Sequence, residues 1–190
     1  MTIEGRKGAL TVDTDEEPGK ALFDKIPSLK PAFEKEGTIT AANASKINDA
    51  AAVLVLMSES EAKKRGLKPL ASILSYATFA QNPKYFTTAP VGAIKKSLDI
   101  ANLKIAEIDH YEINEAFANV TMAAQKSLEI PSEKINIHGG AIAIGHPIGA
   151  SCARILTTLV HSLHNNNLKR GLATLCIGGG EAVSLIIERY

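Results

Sequence analysis

Three side chains in the C-terminal half of this 190-residue chain could together carry acyl-transfer chemistry: Asn114, His146 and Cys176. An imidazole can take a proton or donate one to an oxyanion, and an amide can orient a donor or a water. A thiol can move a proton or, with its pKa lowered, attack a carbonyl. Two or three positions beyond each of these residues stands a small or glycine residue (Ala116, Gly149 and Gly178) that would let a substrate come close. His146 stands in "HGGAIAIGHPIGASCARI" (138–155), where four glycines surround a His-Pro pair and run into an apolar helical pattern. Glycine relieves steric limits where backbones turn sharply or approach something closely, at a cost in chain entropy. A spacer would have no use for an imidazole, so the stretch reads as the wall of a site.

Plainer readings stand beside this one. A cysteine in an apolar strand is commonly a small buried hydrophobe, a histidine beside glycines commonly a loop residue with a satisfied hydrogen bond. Asn114 could merely terminate its strand, and Gly178-Gly179-Gly180 could be no more than a turn. A zinc site through Cys176, His146 and His138 lacks paired ligand spacing. A Cys–His hydrolase built on Cys152 lacks an accompanying oxyanion motif.

The elements that must position these residues follow from periodicity. "AAVLVLM" (51–57) is a short apolar run consistent with a buried strand, and "ESEAKKRG" (59–66) a polar helix closed by Gly66. "LASILSYATFA" (70–80) suits a strand, and "APVGAIKKSLDIAN" (89–102) a helix with Pro90 in its first turn, where the missing N–H costs nothing. "HYEIN" (110–114) is strand-like; Phe117, Val120, Ala124 and Leu128 recur at helical spacing; "KINIHG" (134–139) is another short strand. Ile155, Leu159 and Leu163 line a helix from about 150 to 165, and "RGLATLCIGGGEAVSLIIERY" ends the chain as two strands about a glycine turn. Strands alternating with helices predict an α/β layered domain closing on a hairpin-like pair. The three reactive residues then fall at or just beyond strand ends, where α/β sheets tend to bind ligands. Residues 1–37, with Pro18, Pro27 and Pro31 and many charges, read as irregular.

Composition narrows the partners. Twenty-one basic against 20 acidic residues leave a net charge of +1 with no long run of one sign, which argues against nucleic acid or an anionic membrane surface. No apolar segment is long enough to span a bilayer. The polar, mixed-charge N-terminus is unlike a targeting peptide, and two cysteines make no disulfide framework; a reducing, cytoplasmic setting is expected.

Read as whole motifs, "NEAFA" (114–118), "GGAIAIGHPIGAS" (139–151) and "CIGGG" (176–180) resemble the three C-terminal active-site motifs of the thiolase family, in family order and at family-like spacing. "GTITAANAS" and "INDAAA" (37–52) resemble the segment entering that domain. The resemblance covers nearly all of the chain. It implies a thiolase-like C-terminal domain over 38–190, a layered mixed sheet with helices on both faces, preceded by a remnant of the thiolase loop domain over 1–37. It implies acyl transfer to and from coenzyme A: two acetyl-CoA exchanging with acetoacetyl-CoA and CoA. His146 would activate the acyl-accepting thiol and donate to the thioester oxygen, and Asn114 would hold a water in the same oxyanion hole. Cys176 would be the acid/base residue, and the Gly178 N–H part of a second oxyanion hole. Ser45 and Phe86 match positions that touch coenzyme A, and Ala116 and Phe117 the pocket wall beside the thioester.

Departures are also legible. Family chemistry is ping-pong through a nucleophilic cysteine in the N-terminal half, which is not among these residues, so the 190 residues alone are expected to be inactive. Cys152 lies at a helix start, where a thiol pKa is lowered, but it occupies a position typically glycine in the family and reads as structural. Lys46 could meet a coenzyme A phosphate or point to solvent. His138 replaces a usual asparagine and places a second imidazole near the site. A missing half or equivalent subunit, homo-oligomer formation when complete, and an exposed apolar patch are expected; no permanently bound cofactor and no metal are. A non-catalytic coenzyme A or acyl-binding module and a split enzyme remain the alternatives.

Overall fold

The computed structural model describes residues 1–190, the side chain of Glu16 excepted. Residues 1–37 hold more regular structure than the sequence suggests. Strands β1 (Thr2–Gly5) and β2 (Gly8–Thr11) form an antiparallel hairpin. Its two-residue loop is Arg6-Lys7, flanked by glycines, a connection length that favours tight hairpin turns. Both strands are exposed, so no buried face produced an alternating pattern to read. A four-residue helix α1 (Glu16–Gly19) and a 3₁₀ turn at Phe23–Ser28 follow.

Helix α2 (Glu59–Lys64) starts where the Ser58 hydroxyl accepts from the Glu61 N–H and ends just before Gly66, at φ +65°. Strand β3 (Ala71–Ala80) leads to helix α3 (Ala89–Ala101), which carries Pro90 in its first turn and stops at Asn102 in the left-handed region. Strand β4 (His110–Ile113), helix α4 (Ala118–Leu128), the short α5 (Ala141–Ile144), helix α6 (Ser151–Asn165), and strands β5 (Arg170–Ile177) and β6 (Glu181–Arg189) complete the chain. Strands β3 to β6 form one mixed sheet in the order β3-β6-β5-β4, parallel between β4 and β5 and antiparallel elsewhere.

Helices cover both faces of this sheet, as expected. Strand β5 is buried from Gly171 to Cys176 and divides its side chains between two cores. Leu172 and Cys176 pack with Ile94 and Leu98 of α3 and Val120 and Ala124 of α4. Ala173 and Leu175 pack with Ile155, Leu159 and Leu163 of α6. Burial on both faces explains why β5 reads as a continuous apolar run rather than an alternation.

Two expected strands do not form. The run at 51–57 has no regular secondary structure and belongs to no ladder, and most of its side chains are exposed: Val53 is 83% exposed, with Val55 and Leu56 similar. Apolar side chains alone cannot make a strand whose backbone finds no neighbour. At 134–139 the chain makes one bridge, Ile135 to Tyr111, and then turns at Asn136, φ +47°. There the Asn136 carboxamide substitutes for a strand. It accepts from the Ile113 N–H and donates to the Ile113 carbonyl, both at 2.8 Å, closing the outer edge of β4. Exposed apolar surface is nonetheless present, in the 51–57 run and at Ile73 and Tyr76 of edge strand β3.

Candidate active site

The parallel β4–β5 pair decides where the reactive residues meet. Its register sets Ile113 opposite Thr174, and the Asn114 N–H donates to the Thr174 carbonyl at 2.9 Å. Asn114 and Cys176 therefore leave neighbouring strands at the same carboxyl end, both buried, at 1% and 9% exposure. Their side chains take opposite faces: Cys176 joins the α3/α4 core together with Ala116 and Phe86, while Asn114 faces the start of α6.

His146 is brought to Asn114 by the loop between α5 and α6. Its Nε2 lies 3.4 Å from Asn114 Nδ2, and its Nδ1 lies 2.6 Å from Ser151 Oγ at the first turn of α6. A strap at residues 43–48 holds both walls. The His146 N–H donates to the Lys46 carbonyl at 2.7 Å, and the Ser45 N–H and Oγ both donate to the Ala116 carbonyl, at 3.1 and 2.9 Å. The Ala118 N–H returns to the Asn43 carbonyl at 2.9 Å. Behind the glycine loop stands Glu115, whose carboxylate accepts from Asn136 Nδ2 at 2.8 Å and from the Ile142 N–H at 3.1 Å. A Cβ at Gly140 would meet that carboxylate at 2.4 Å, so a side chain there would have to displace the Glu115 carboxylate from its hydrogen bonds.

The remaining expected residues fall around this centre. The Phe117 ring is edge-on to Phe86, with centroids 6.4 Å apart, and to Phe33 at 5.9 Å. Gly178 sits exposed in the turn after β5. Among the described residues no hydrogen bond links Cys176 to His146 or Asn114. Cys152 is exposed rather than packed in the core. The Lys46 side chain is half exposed, and its ammonium pairs with Glu17. His138 bonds Ser162 at 3.0 Å and packs edge-on to His110, away from His146. No cluster of His, Cys, Asp and Glu able to hold a metal ion occurs among the described residues.

Burial, and secondarily the positive Arg154, lower the His146 pKa from its ordinary 6.5, so the ring is neutral and basic at neutral pH. Burial raises that of the Cys176 thiol, partly offset by a backbone hydrogen bond, so the thiol keeps its proton. A neutral imidazole and a protonated thiol, on either side of one strand end, can accept one proton and supply another. Sequence reasoning missed the groups that hold them: Glu112, Glu115, Asn136, Ser151 and Arg154. Glu112 did leave a signal, an acid inside a strand otherwise apolar enough to be buried.

The model of the thiolase C-terminal domain matches residues 67–189, and that of the thiolase N-terminal domain matches residues 1–60. The chain belongs to the thiolase family. A probable acetyl-CoA acetyltransferase of Dictyostelium discoideum is 55% identical over 190 residues, covering 100% of this chain and 46% of its own length. The acetyl-CoA acetyltransferase of Escherichia coli strain K12 is 50% identical, over 100% of this chain and 48% of its own. Among solved structures, the Bacillus anthracis acetyl-CoA acetyltransferase superposes with a TM-score of 0.93 at 44% identity, and human mitochondrial 3-ketoacyl-CoA thiolase in complex with CoA with 0.85 at 37%. All of this chain and 48% of each of those chains are covered. This thiolase-family chain thus spans about half the length of the relatives it matches. No helix in it is long and apolar enough to cross a membrane.

Proposed function

We propose that this chain supplies the acid/base side of a thiolase active site, exchanging two acetyl-CoA with acetoacetyl-CoA and CoA. The observation that carries this reading is the Asn114–His146 contact at the carboxyl end of the β4–β5 pair, with Cys176 ending the neighbouring strand at that same end. In this reading neutral His146 takes the proton of an acyl-accepting thiol and, once protonated, donates it as a hydrogen bond to the thioester oxygen. Asn114 orients a water beside that oxygen. In cleavage the Cys176 thiol gives its proton to the departing α-carbanion of acetyl-CoA. In condensation the thiolate form takes that proton back. The Gly178 N–H stabilises the enolate oxygen, while Ser45, Phe86, Ala116 and Phe117 line the path of the pantetheine arm and thioester. The solved relative that contains CoA supports a coenzyme A thioester as the ligand class.

In this reading the acyl-accepting thiol is neither Cys176, which serves as the acid/base, nor Cys152, which is exposed. The 190 residues alone are therefore inactive in this reading and require a nucleophile-bearing partner domain. The test is thiolysis of acetoacetyl-CoA by the chain alone, and by the chain co-expressed with the N-terminal half of the Escherichia coli relative. The expected result is turnover only in the complemented form, lowered about 10²–10⁴-fold by Cys176→Ala. Turnover by the chain alone, or full activity of the complemented Cys176→Ala variant, would overturn the proposal.

A further inference from the structure

Behind the Asn114–His146 pair runs a line of polar groups whose direction is set at its Arg154 end. Arg154, on the second turn of α6, places Nη2 3.5 Å from Asn114 Oδ1. A guanidinium only donates, so the carboxamide oxygen must face it and the amide nitrogen must face His146. Asn114 Nδ2 therefore donates toward His146 Nε2, at 3.4 Å. At the other end Ser151 Oγ donates to the Pro147 carbonyl at 3.0 Å, which leaves its lone pairs to accept from His146 Nδ1 at 2.6 Å. Asn114, aimed by Arg154, sets the bare lone pair on Nε2, and Ser151, whose hydroxyl can rotate between the Pro147 carbonyl and Nδ1, accepts the ring proton then left on Nδ1.

Arg154 is itself held from behind. Glu112, 1% exposed in the middle of β4, brings Oε2 to 3.8 Å from Arg154 Nη1, and His110 Nε2 lies 3.0 Å from Glu112 Oε1 without hydrogen-bond alignment. Neither Nε nor Nη1 of Arg154 has a hydrogen-bond partner among the described residues. A buried carboxylate is costly to keep unless it is compensated, and this one faces a guanidinium that faces the site. The other charges around the pair are Glu115, engaged with Asn136 and the Ile142 N–H, and Lys46, whose ammonium is turned to Glu17.

We propose that Arg154, anchored on buried Glu112, is a positioning residue: it fixes the orientation of the Asn114 carboxamide and, through it, the Nδ1-protonated form of His146. The catalytic consequence rests on the thiolase reading above: a bare Nε2 is the atom that must take the thiol proton. On taking it, Nε2 becomes a donor and can no longer accept from Asn114, so the carboxamide is released to hold another acceptor. Removing Arg154 also removes a positive charge that opposes protonation of the ring.

The test reads the ring directly, in the 190-residue chain labelled with ¹⁵N-histidine, by long-range ¹H–¹⁵N correlation across a pH titration. The wild-type chain is expected to carry the His146 proton on Nδ1, and an Nε2-protonated ring would overturn the proposal without any variant. Arg154→Met strands the Glu112 carboxylate, so Glu112→Gln/Arg154→Met is the companion that removes both charges. In whichever variant folds, the tautomer bias should be lost and the His146 midpoint should move up. Arg154→Lys, which keeps the charge, should hold the midpoint near wild type. An unchanged tautomer and midpoint in the folded double variant would overturn the proposal. Failure of the thiolase reading shows separately, as absence of thiolysis in the complemented wild type with the ring behaving as described.

Discussion

The turn behind Cys176 offers the sharpest test of the packing, because two glycines two residues apart should respond in opposite ways to the same substitution. Gly180 has φ +95°, a conformation L side chains rarely adopt, and a Cβ there would lie 2.4 Å from the Gln81 carbonyl oxygen and 3.0 Å from Pro83 Cα. Those neighbours are backbone and cannot rotate away. The carbonyl of Gly180 also accepts from the Gln81 N–H at 3.0 Å, so any shift breaks the tie between this turn and the end of β3. Backbone strain of roughly 1–3 kcal/mol and overpacking of similar size set the cost of Gly180→Ala at about 2–5 kcal/mol. Against a total stability of about 5–15 kcal/mol this is a large fraction, and it corresponds to a fall in Tm of roughly 4–20 °C for a chain this long. At Gly178 a Cβ would meet nothing within 4 Å, and Gly178→Ala should stay within about 1 kcal/mol of wild type. Urea unfolding followed by far-ultraviolet circular dichroism, with both variants in one buffer, measures the difference. Equal midpoints for Gly180→Ala and wild type would refute the geometry assigned to this turn.

Asn136→Ala removes three 2.8 Å hydrogen bonds, two to Ile113 and one to Glu115, and should cost about 2–4 kcal/mol in the same unfolding assay. In the native chain a thiol reagent should modify exposed Cys152 rapidly and buried Cys176 only as the protein unfolds, giving one fast and one slow equivalent; two fast equivalents would contradict the burial of Cys176. Stability should fall at both ends of the pH range. Because His146 is held below its ordinary 6.5, the unfolded chain binds more protons as pH drops through that value, and stability is lost until the folded ring also titrates. Because Cys176 is held above its ordinary 9.0, the unfolded chain gives up that proton first, and stability falls as pH rises past 9.0. Unfolding free energies measured across pH should lose their acid limb in part in His146→Gln and their alkaline limb in part in Cys176→Ala.

The sequence made the strand ends and their reactive residues legible because both depend on local pattern. A strand-like run that stops at a reactive residue, with Ala116 or Gly178 two positions on, marks Asn114 and Cys176 without any knowledge of what lies across the sheet. Helices α3 and α6 were legible for the same reason: Pro90 marks one start, and Ile155, Leu159 and Leu163 mark one buried face. The missed strands failed on the part of strand formation that is not local. The 51–57 run has the composition of a buried strand, and nothing within it reveals that no neighbouring backbone is available. "KINIHG" reads as a strand by alternation, yet a single asparagine there satisfies both backbone groups of Ile113 with its side chain and ends the edge.

The supporting residues of the site were hidden for a related reason. Glu112 and Arg154 are far apart in the chain, and each has a plain reading by itself, an acid in a strand and a base on a helix. Only the layering of α6 over β4 makes them partners. A charge at the centre of a four-residue strand with no exposed position is nevertheless a signal that the chain carries in its pattern. Such a charge must find an opposite one or forfeit its ionisation. A basic residue followed immediately by the apolar positions of a helix that begins beside a candidate catalytic loop is where to look for it. The same physics connects stability to chemistry here. The arginine that compensates a buried carboxylate on one side also faces the amide on the other, so the cost of burying Glu112 is tied to the orientation of Asn114 and to the protonation state of His146.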